Sequence, residues 1–356
     1  MRRTIAILFS FFFLSAQTAS AHVPYVVPIQ LLEKMSGTDF LFLFTPLYSV
    51  NYVVMMVCFL LILGALYFLG HNVPLFIKEF SYIKRKLLSY QDLVPWILRL
   101  GLGILFMGAA LHSVFISPIL TGYTNLAAYE LIIGFCLLIG FLITPSLLIA
   151  IGFYLASLIQ NGYMIGSIEV LGASIALLLL AQTRPSFDDI VGIPMLIKDR
   201  YAKYAPLILR ISLGTTFIFL AFYEKIFNPH YFTFVVNQYN LTSIIHVSPS
   251  MWTLAVGLIE LIVGICILFG FKTRITAVIA FCVFSASFFF FKEDVYSHVT
   301  IFAILTALFV TGGGHWSIDE HIEHSVGTKG TIRLRRSPRK IAKRKKTIVK
   351  RSKKLA

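Results

Sequence analysis

The chain has 356 residues, of which 58% are hydrophobic and 13% are charged, whereas about 25% of the residues in a soluble domain are charged. This composition excludes an ordinary soluble enzyme. The formal net charge of +15 would suit a nucleic-acid-binding protein, but fourteen of the 31 Lys and Arg residues lie after residue 326, where there is no Asp or Glu. The other 17 bases face 16 acids, so the excess charge belongs to one tail, and nucleic acid is not predicted as a partner.

The first 21 residues have the three parts of a secretory signal peptide: Arg2 and Arg3, an apolar core, and a small-residue cleavage site that ends at Ala21. We expect cleavage after Ala21, with a retained signal anchor as the alternative. The next three segments are predicted to be a short exterior segment, a membrane-spanning helix and a basic cytoplasmic loop, at residues 22–45, 46–70 and 71–94.

Apolar runs of roughly 20 residues follow, the length that an α-helix needs to cross a bilayer, and backbone groups in lipid must be hydrogen-bonded internally. We therefore predict an all-α membrane protein with nine spans: the first helix and two tandem four-helix bundles, at residues 95–189 and 206–320. Residues 190–205 are predicted to be a cytoplasmic linker and 321–356 a basic, disordered cytoplasmic tail. The eight bundle spans are expected near residues 95–117, 126–144, 146–160, 163–181, 206–227, 250–271, 274–291 and 297–312.

The two bundles have similar sequences, as expected of an internal repeat. Pro95, Arg99, Gly103 and Phe106 lie 111 residues before identical residues, and Glu130, Gly134, Cys136 and Gly140 lie 130 residues before identical residues. The offset grows because the loop after Pro229 is longer than its counterpart. The pattern predicts a duplicated membrane unit.

The loops predict one orientation in the membrane. Lys and Arg are concentrated in residues 71–94, in 182–205, in the turn at 272–274 and in the tail, and they are absent from 118–125, 161–163 and 228–249. Because cytoplasmic loops are enriched in Lys and Arg, we predict a multi-pass protein of the plasma membrane, with its amino terminus outside and its tail in the cytoplasm. The tail is expected to attract anionic membrane lipids.

Several ionisable residues fall within predicted spans, where they usually face the bundle and find a partner. Glu224, Lys225 and Glu260 lie in the outer half of the second bundle, and we predict contact between Lys225 and Glu260. In the first bundle, His112 is expected to serve Glu130 in the same way. These groups act either as structural links between helices or as a polar pocket for a quinone headgroup, a sulfur compound or a proton.

The two equivalent arginines, Arg99 and Arg210, lie four residues in from the predicted inner ends of their helices. A long basic side chain at that depth can extend to the bilayer surface. We predict that both contact lipid headgroups.

The second bundle contains three motifs. Lys225 lies in FYEKIFNP, and Glu260, Gly264 and Gly270 lie in IELIVGICILFGFKTR. The bundle closes with GGGHWSID, which includes Gly312, Gly314, Ser317 and Asp319. In these motifs the second bundle resembles the DoxX family of four-helix membrane proteins. The first bundle resembles a degenerate copy, with Ser113-Val114 in place of Glu224-Lys225 and the ending TRPSFDD.

The resemblance implies a non-autonomous membrane subunit linked to redox or oxidative-stress functions, with quinone as the candidate cofactor and an oxidoreductase as the candidate partner. The alternatives are a non-enzymatic scaffold or assembly factor and a small-solute permease. The four cysteines fall within spans and form no C-x-x-C motif, so a dithiol site is not expected. No metal site, catalytic residue or oligomeric state is predicted.

Overall fold

The computed structural model describes residues 23, 38–42, 44, 50–72, 83–180, 185–193, 199–291 and 293–325. The predicted signal peptide, most of the exterior segment and most of the basic tail lie outside these residues.

The protein is an all-α membrane protein, as predicted, with one short β-hairpin. The longer helices are α1 (Val50–Asn72), α2 (Val94–Leu111), α3 (Thr124–Ile139), α4 (Ile143–Gln160), α5 (Ile168–Leu180), α6 (Phe187–Val191), α7 (Ala205–Leu220), α8 (Pro229–Gln238), α9 (Pro249–Phe269), α10 (Thr273–Phe291), α11 (Val295–Thr311) and α12 (Ile318–Ser325). Short 3-10 helices are formed by Gln91–Leu93, Gly162–Ser167, Asp199–Tyr204 and Leu241–Ser243, and α7 continues directly into a π-helix, Ala221–Phe227.

Length and hydropathy identify the membrane-crossing helices. Among the described residues, five helices are long and apolar enough to cross a bilayer: Gln91–Leu111, Ile143–Gln160, Gly162–Leu180, Arg200–Phe227 and Pro249–Phe269. Three shorter apolar helices accompany them: Thr124–Ile139, Thr273–Phe288 and Val295–Thr311. The chain is therefore a multi-pass membrane protein.

The two halves share one apolar core. Helix α2 packs against α3 of its own half and against α11 of the other half, while α7 packs against α9 and against α5. Phe106 and Phe217, which are equivalent in sequence, are both fully buried in this core. The halves are therefore interlocked, because the first helix of each contacts the last helix of the other.

Helix α1 lies against the second half. Phe42, just before it, is buried against Leu254 and Leu258 of α9, and Tyr52 and Met55 of α1 pack on the same cluster. The segment that precedes α1 thus reaches the beginning of α9.

The end of the first bundle span differs from the prediction. Helix α2 ends at Leu111, and the residues that follow form an antiparallel hairpin in which Val114 pairs with Thr121. The Ile116 N–H donates to the Glu130 carboxylate at 2.8 Å, which replaces the hydrogen bond that a continuing helix would make. The equivalent part of the second half stays helical, as the π-helix.

Candidate functional site

The π-helix places two ionisable side chains next to each other inside the second half. Glu224 is fully buried and Lys225 is 5% exposed. A π-helix adds a residue to each turn and occurs frequently at functional sites. Here two consecutive residues of the π-helix are both buried.

Lys225 lies between two carboxylates. Its Nζ is 2.8 Å from Oε2 of Glu260 on α9 and 3.1 Å from Oε2 of Glu224. The predicted contact between Lys225 and Glu260 is confirmed. The ammonium also lies 5.4 Å from the ring centroid of Phe232 on α8, within the range of a cation–π interaction.

Val23, from the segment that precedes α1, contributes to the same site. The Val23 N–H donates to Oε1 of Glu224 at 3.0 Å, and the Val23 side chain is buried against Tyr231 and Val235 of α8. Burial raises the pKa of the Tyr231 hydroxyl above its ordinary value, and the nearby Glu224 adds to the effect. Both oxygens of Glu224 are thus engaged, one by the Val23 N–H and one by Lys225.

A second polar pair was not predicted from the sequence. Nδ1 of His298, on α11, lies 2.9 Å from Oε2 of Glu293 and 2.7 Å from the Ser297 hydroxyl. The Glu293 and His298 side chains are only 4% and 7% exposed. Glu293 belongs to a charged segment, Lys292-Glu293-Asp294, between two predicted spans. The sequence signal that could have revealed this pair is the position of Glu293, five residues before a histidine inside a predicted span.

These groups line one cavity of about 370 Å³. Its ionisable lining residues are Glu224, Lys225, Glu260, Glu293 and His298, and most of the other lining residues are apolar or aromatic side chains from α8, α9 and α10. Small-molecule sites are typically cavities of about 300–1,000 Å³ with apolar walls and a few convergent polar groups. The volume and lining suit a ring with polar substituents, such as a quinone headgroup.

The ionisable groups of the cavity carry an excess of acid. Three carboxylates, Glu224, Glu260 and Glu293, face one lysine and one histidine. Even with His298 protonated, the set has one more negative than positive charge if all carboxylates are ionised. Buried charge is costly unless it is compensated, so the cavity favours hydrogen-bond donors, protons or cations.

Arg99 and Arg210 lie at the opposite end of the molecule. We predicted that both contact lipid headgroups, but both side chains are buried in the protein. Arg210 is 1% exposed and donates to the carbonyls of Leu268 at 3.1 Å and His315 at 3.0 Å. The prediction was wrong because the last carbonyls of a helix, here α9, need donors, and the guanidinium satisfies them from inside. Arg99, 2% exposed, donates to the Pro185 carbonyl at 2.7 Å.

Three family-motif residues at this end, Gly270, Ser317 and Asp319, form the turn cluster together with Arg210. The Asp319 carboxylate accepts from the N–H groups of Lys272 and Thr273 at 2.7 and 2.8 Å, and so caps the start of α10. The Asp319 N–H in turn donates to the Gly270 carbonyl at 3.1 Å. These residues stabilise the turn between α9 and α10.

The first half has the same contacts. Asp188 accepts from the N–H groups of Leu142 and Ile143 at 2.8 and 2.9 Å, and its own N–H donates to the Gly140 carbonyl at 2.9 Å. Ser186 precedes Asp188 by two residues, as Ser317 precedes Asp319. The ending TRPSFDD therefore makes the same turn contacts as GGGHWSID, and the shared Ser-x-Asp spacing was the signal that sequence reasoning missed.

The other motif glycines lie at close backbone approaches. A Cβ at Gly264 would lie 3.0 Å from the Ile218 nitrogen on α7, and one at Gly314 would lie 2.7 Å from Cβ of Pro206. A Cβ at Gly312 would lie 2.7 Å from the guanidinium of Arg274, which donates to the last carbonyls of α11. These glycines pack helices and do not line the cavity.

The expected pairing of His112 with Glu130 is wrong. Because α2 ends at Leu111, His112 turns to the surface, where it stacks on Tyr296 at 4.7 Å and lies 3.6 Å from Asp294. Glu130 is fully buried and holds the hairpin through Ile116.

Glu169 was also missed by sequence reasoning. It is 5% exposed on α5, and its Oε2 accepts from the Thr216 hydroxyl on α7 at 2.6 Å. A single acid within the apolar run of α5 was the available signal. This hydrogen bond joins the two halves.

The described residues contain no group of three His, Cys, Asp or Glu side chains that could hold a metal ion.

Comparison with known proteins identifies one family. The DoxX family model matches residues 205–293, from the first residue of α7 to Glu293. The match includes Glu224, Lys225 and Glu260 and covers about a quarter of the chain. No curated protein and no solved structure matches the chain.

Proposed function

Because residues 205–293 match the DoxX family model, we propose that the chain is a membrane-redox or oxidative-stress subunit of this family that binds a quinone headgroup in the cavity of its second half. The observation that carries this proposal is one cavity of about 370 Å³ that joins apolar and aromatic walls to the buried Lys225 and His298. A quinone ring would contact the apolar walls, and its oxygens would lie near the polar groups.

The residues of the cavity would bind and orient the ring. The Lys225 ammonium can donate to a quinone oxygen, and Glu224 and Glu260 hold it in place from two sides. Trp252, Phe284 and other apolar lining residues would exclude water from the ring. A bound quinone supplies the electron-accepting chemistry, whereas these side chains position it and hold protons.

The electrons would come from a partner. Carboxylates, lysine and histidine transfer protons and donate hydrogen bonds, but they do not carry electrons at ordinary potentials. We therefore infer that the chain works with a membrane or soluble oxidoreductase.

We further infer that the chain is a duplication whose cavity faces the exterior of the plasma membrane. The recurrence of the turn contacts at Asp188 and Asp319 supports the duplication, and the distribution of Lys and Arg among the loops supports the orientation. The signal peptide and the lipid-binding basic tail belong to the same proposal.

The test is to purify the intact protein in mild detergent together with Glu260→Gln and Glu130→Gln variants, and to measure extracted quinone and co-purifying proteins for each. Glu130→Gln is the matched control, because Glu130 is equivalent to Glu260 in sequence but does not line the cavity. We expect quinone in the wild type and in Glu130→Gln, and a marked loss in Glu260→Gln.

The same experiment separates the alternatives. Protein without quinone whose variants differ only in yield would refute the proposal and favour a scaffold or assembly factor, which the structural role of the turn contacts already suits. Solute uptake by vesicles that contain only this protein would favour a permease.

A further inference from the structure

The cavity has two polar regions supplied by different helices. Lys225 and its two carboxylates come from the π-helix and α9, whereas His298 comes from α11, and Glu293 lies just before that helix. Binding of a quinone oxygen by Lys225 does not use the second region. Burying two ionisable side chains in a membrane protein costs free energy, and such residues usually have a function. The presence of Glu293 and His298 on the cavity wall therefore needs an explanation.

The geometry around His298 leaves a hydrogen-bond acceptor on the cavity wall. The Ser297 hydroxyl is hydrogen-bonded to Nδ1 at 2.7 Å, whereas Oε2 of Glu293 lies 2.9 Å from the same nitrogen but makes no hydrogen bond within the part of the chain that the structure describes. This buried carboxylate oxygen therefore keeps its capacity to accept a hydrogen bond from a ligand. The Phe284 ring of α10 lies 6.0 Å from the imidazole, so this neighbour adds no competing charge.

The charge of the whole cavity also favours a ligand that donates hydrogen bonds. Glu260 from α9, Glu224 from the π-helix and Glu293 all face the space that His298 faces, against the single Lys225. A hydroxyl group of a ligand can donate to this acidic set, whereas a carbonyl oxygen can only accept. Hydrogen bonds in which one partner is ionised are roughly twice as strong as neutral ones.

We propose that the Glu293–His298 pair accepts a hydrogen bond from a ring hydroxyl of the bound ligand, so that the cavity prefers the reduced quinol to the oxidised quinone. This inference rests on the proposed function and adds to it the form of the ligand that the site selects. Glu293 and His298 are then residues that determine specificity, while Lys225 holds the other oxygen of the ring.

The test compares the two forms of one ligand on the full-length protein. A short-chain ubiquinone and its quinol, kept reduced under argon, are titrated into protein in detergent. Binding is followed by tryptophan fluorescence, since Trp252 lines the cavity. We expect the wild type to bind the quinol at least about tenfold more tightly than the quinone, which corresponds to the loss of one good hydrogen bond.

Glu293→Gln and His298→Gln are expected to bring this ratio close to one while the quinone affinity is retained. Retained quinone affinity shows that the variant is folded with its cavity intact. His112→Gln is the matched control, a histidine near the same surface that does not line the cavity, and it is expected to keep the wild-type ratio.

Equal affinities in the wild type, tighter binding of the quinone, or an unchanged ratio in both Glu293→Gln and His298→Gln would overturn the inference and leave the proposed function intact. Binding of neither form would refute the proposed function itself.

Discussion

Lys225 shows how a buried charge is accommodated in this protein. Transfer of an ammonium group from water to a low-dielectric interior costs several kcal/mol. Its contacts with Glu260 at 2.8 Å and Glu224 at 3.1 Å offset this cost. The Val23 N–H, which donates to Glu224, also compensates the second carboxylate. Lys225 therefore links the π-helix to α9 and, through Glu224, to Val23.

Replacement of Lys225 by methionine is expected to destabilise the protein strongly. The apolar side chain fits the space but leaves Glu224 and Glu260 as two buried carboxylates without their cation, and breaking a buried ion pair from one side typically costs about 3–5 kcal/mol. Thermal unfolding in detergent measures the effect. The double variant Lys225→Met/Glu260→Gln is expected to recover part of the loss, because it removes one of the two charges. If Lys225→Met is as stable and abundant as the wild type, the contact has no structural importance.

The sequence predicts how deep these polar residues lie in the membrane better than it predicts which way their side chains point. Lys225 and Glu260 were paired correctly because both lie at the same depth of adjacent helices. Arg210 was placed in the headgroups because sequence does not reveal the rotation of a helix about its axis. His298 and Glu293 were not paired because the turn between α10 and α11 brings together residues whose contact depends on tertiary packing.

The turn between α9 and α10 depends on a glycine at one position. Gly270 ends α9 with a φ of +67°, and Gly140 ends α3 with a φ of +80°. Only glycine adopts this left-handed conformation without a steric cost. At both positions an added Cβ would also contact an arginine guanidinium and a serine, Ser317 or Ser186. The turn cluster therefore requires a residue without a side chain at this point.

Replacement of Gly270 by alanine is expected to lower the free energy of unfolding by about 1–2 kcal/mol from the backbone alone, and further because Arg210 must move. Gly152→Ala is the matched control, since Gly152 lies inside α4 with no atom within 4 Å of an added Cβ. Alanine is a better helix former than glycine, by about 1 kcal/mol in water, so this control should be neutral or slightly stabilising. Comparable melting temperatures for the two variants would show that the turn adapts without cost.

The helices were easier to predict than the irregular elements between them. Most of the predicted spans coincide with helices to within a few residues, because the length of an apolar run can be read directly from the sequence. The hairpin after α2 and the π-helix after α7 were not predicted. Each depends on a buried carboxylate from another helix: Glu130 binds Ile116 in the hairpin, and Glu260 binds Lys225 in the π-helix.

At the scale of the whole molecule, the two halves are joined by packing and by polar contacts. Helix α2 packs on α11 and α7 on α5, and the hydrogen bond from Thr216 to Glu169 spans the second of these interfaces. Lipid is as apolar as the helix surfaces, so association in a membrane relies on close packing and interhelical hydrogen bonds. A buried carboxylate at the interface is therefore expected to contribute to the association of the halves.

Replacement of Thr216 by valine tests this contribution. Valine keeps the shape of threonine but removes the hydroxyl that donates to Glu169, and a buried acceptor that loses its partner costs about 1–3 kcal/mol. The expected result is a lower melting temperature in detergent. Thr306→Val is the matched control, because the Thr306 hydroxyl donates only to the Phe302 carbonyl of its own helix, and its removal should change stability little. Glu169→Gln in the Thr216→Val background should recover part of the loss, because a neutral amide is less costly to bury than a carboxylate. If Thr216→Val and Thr306→Val have the same stability as the wild type, apolar packing alone holds the halves together, and the acid on α5 must be explained in another way.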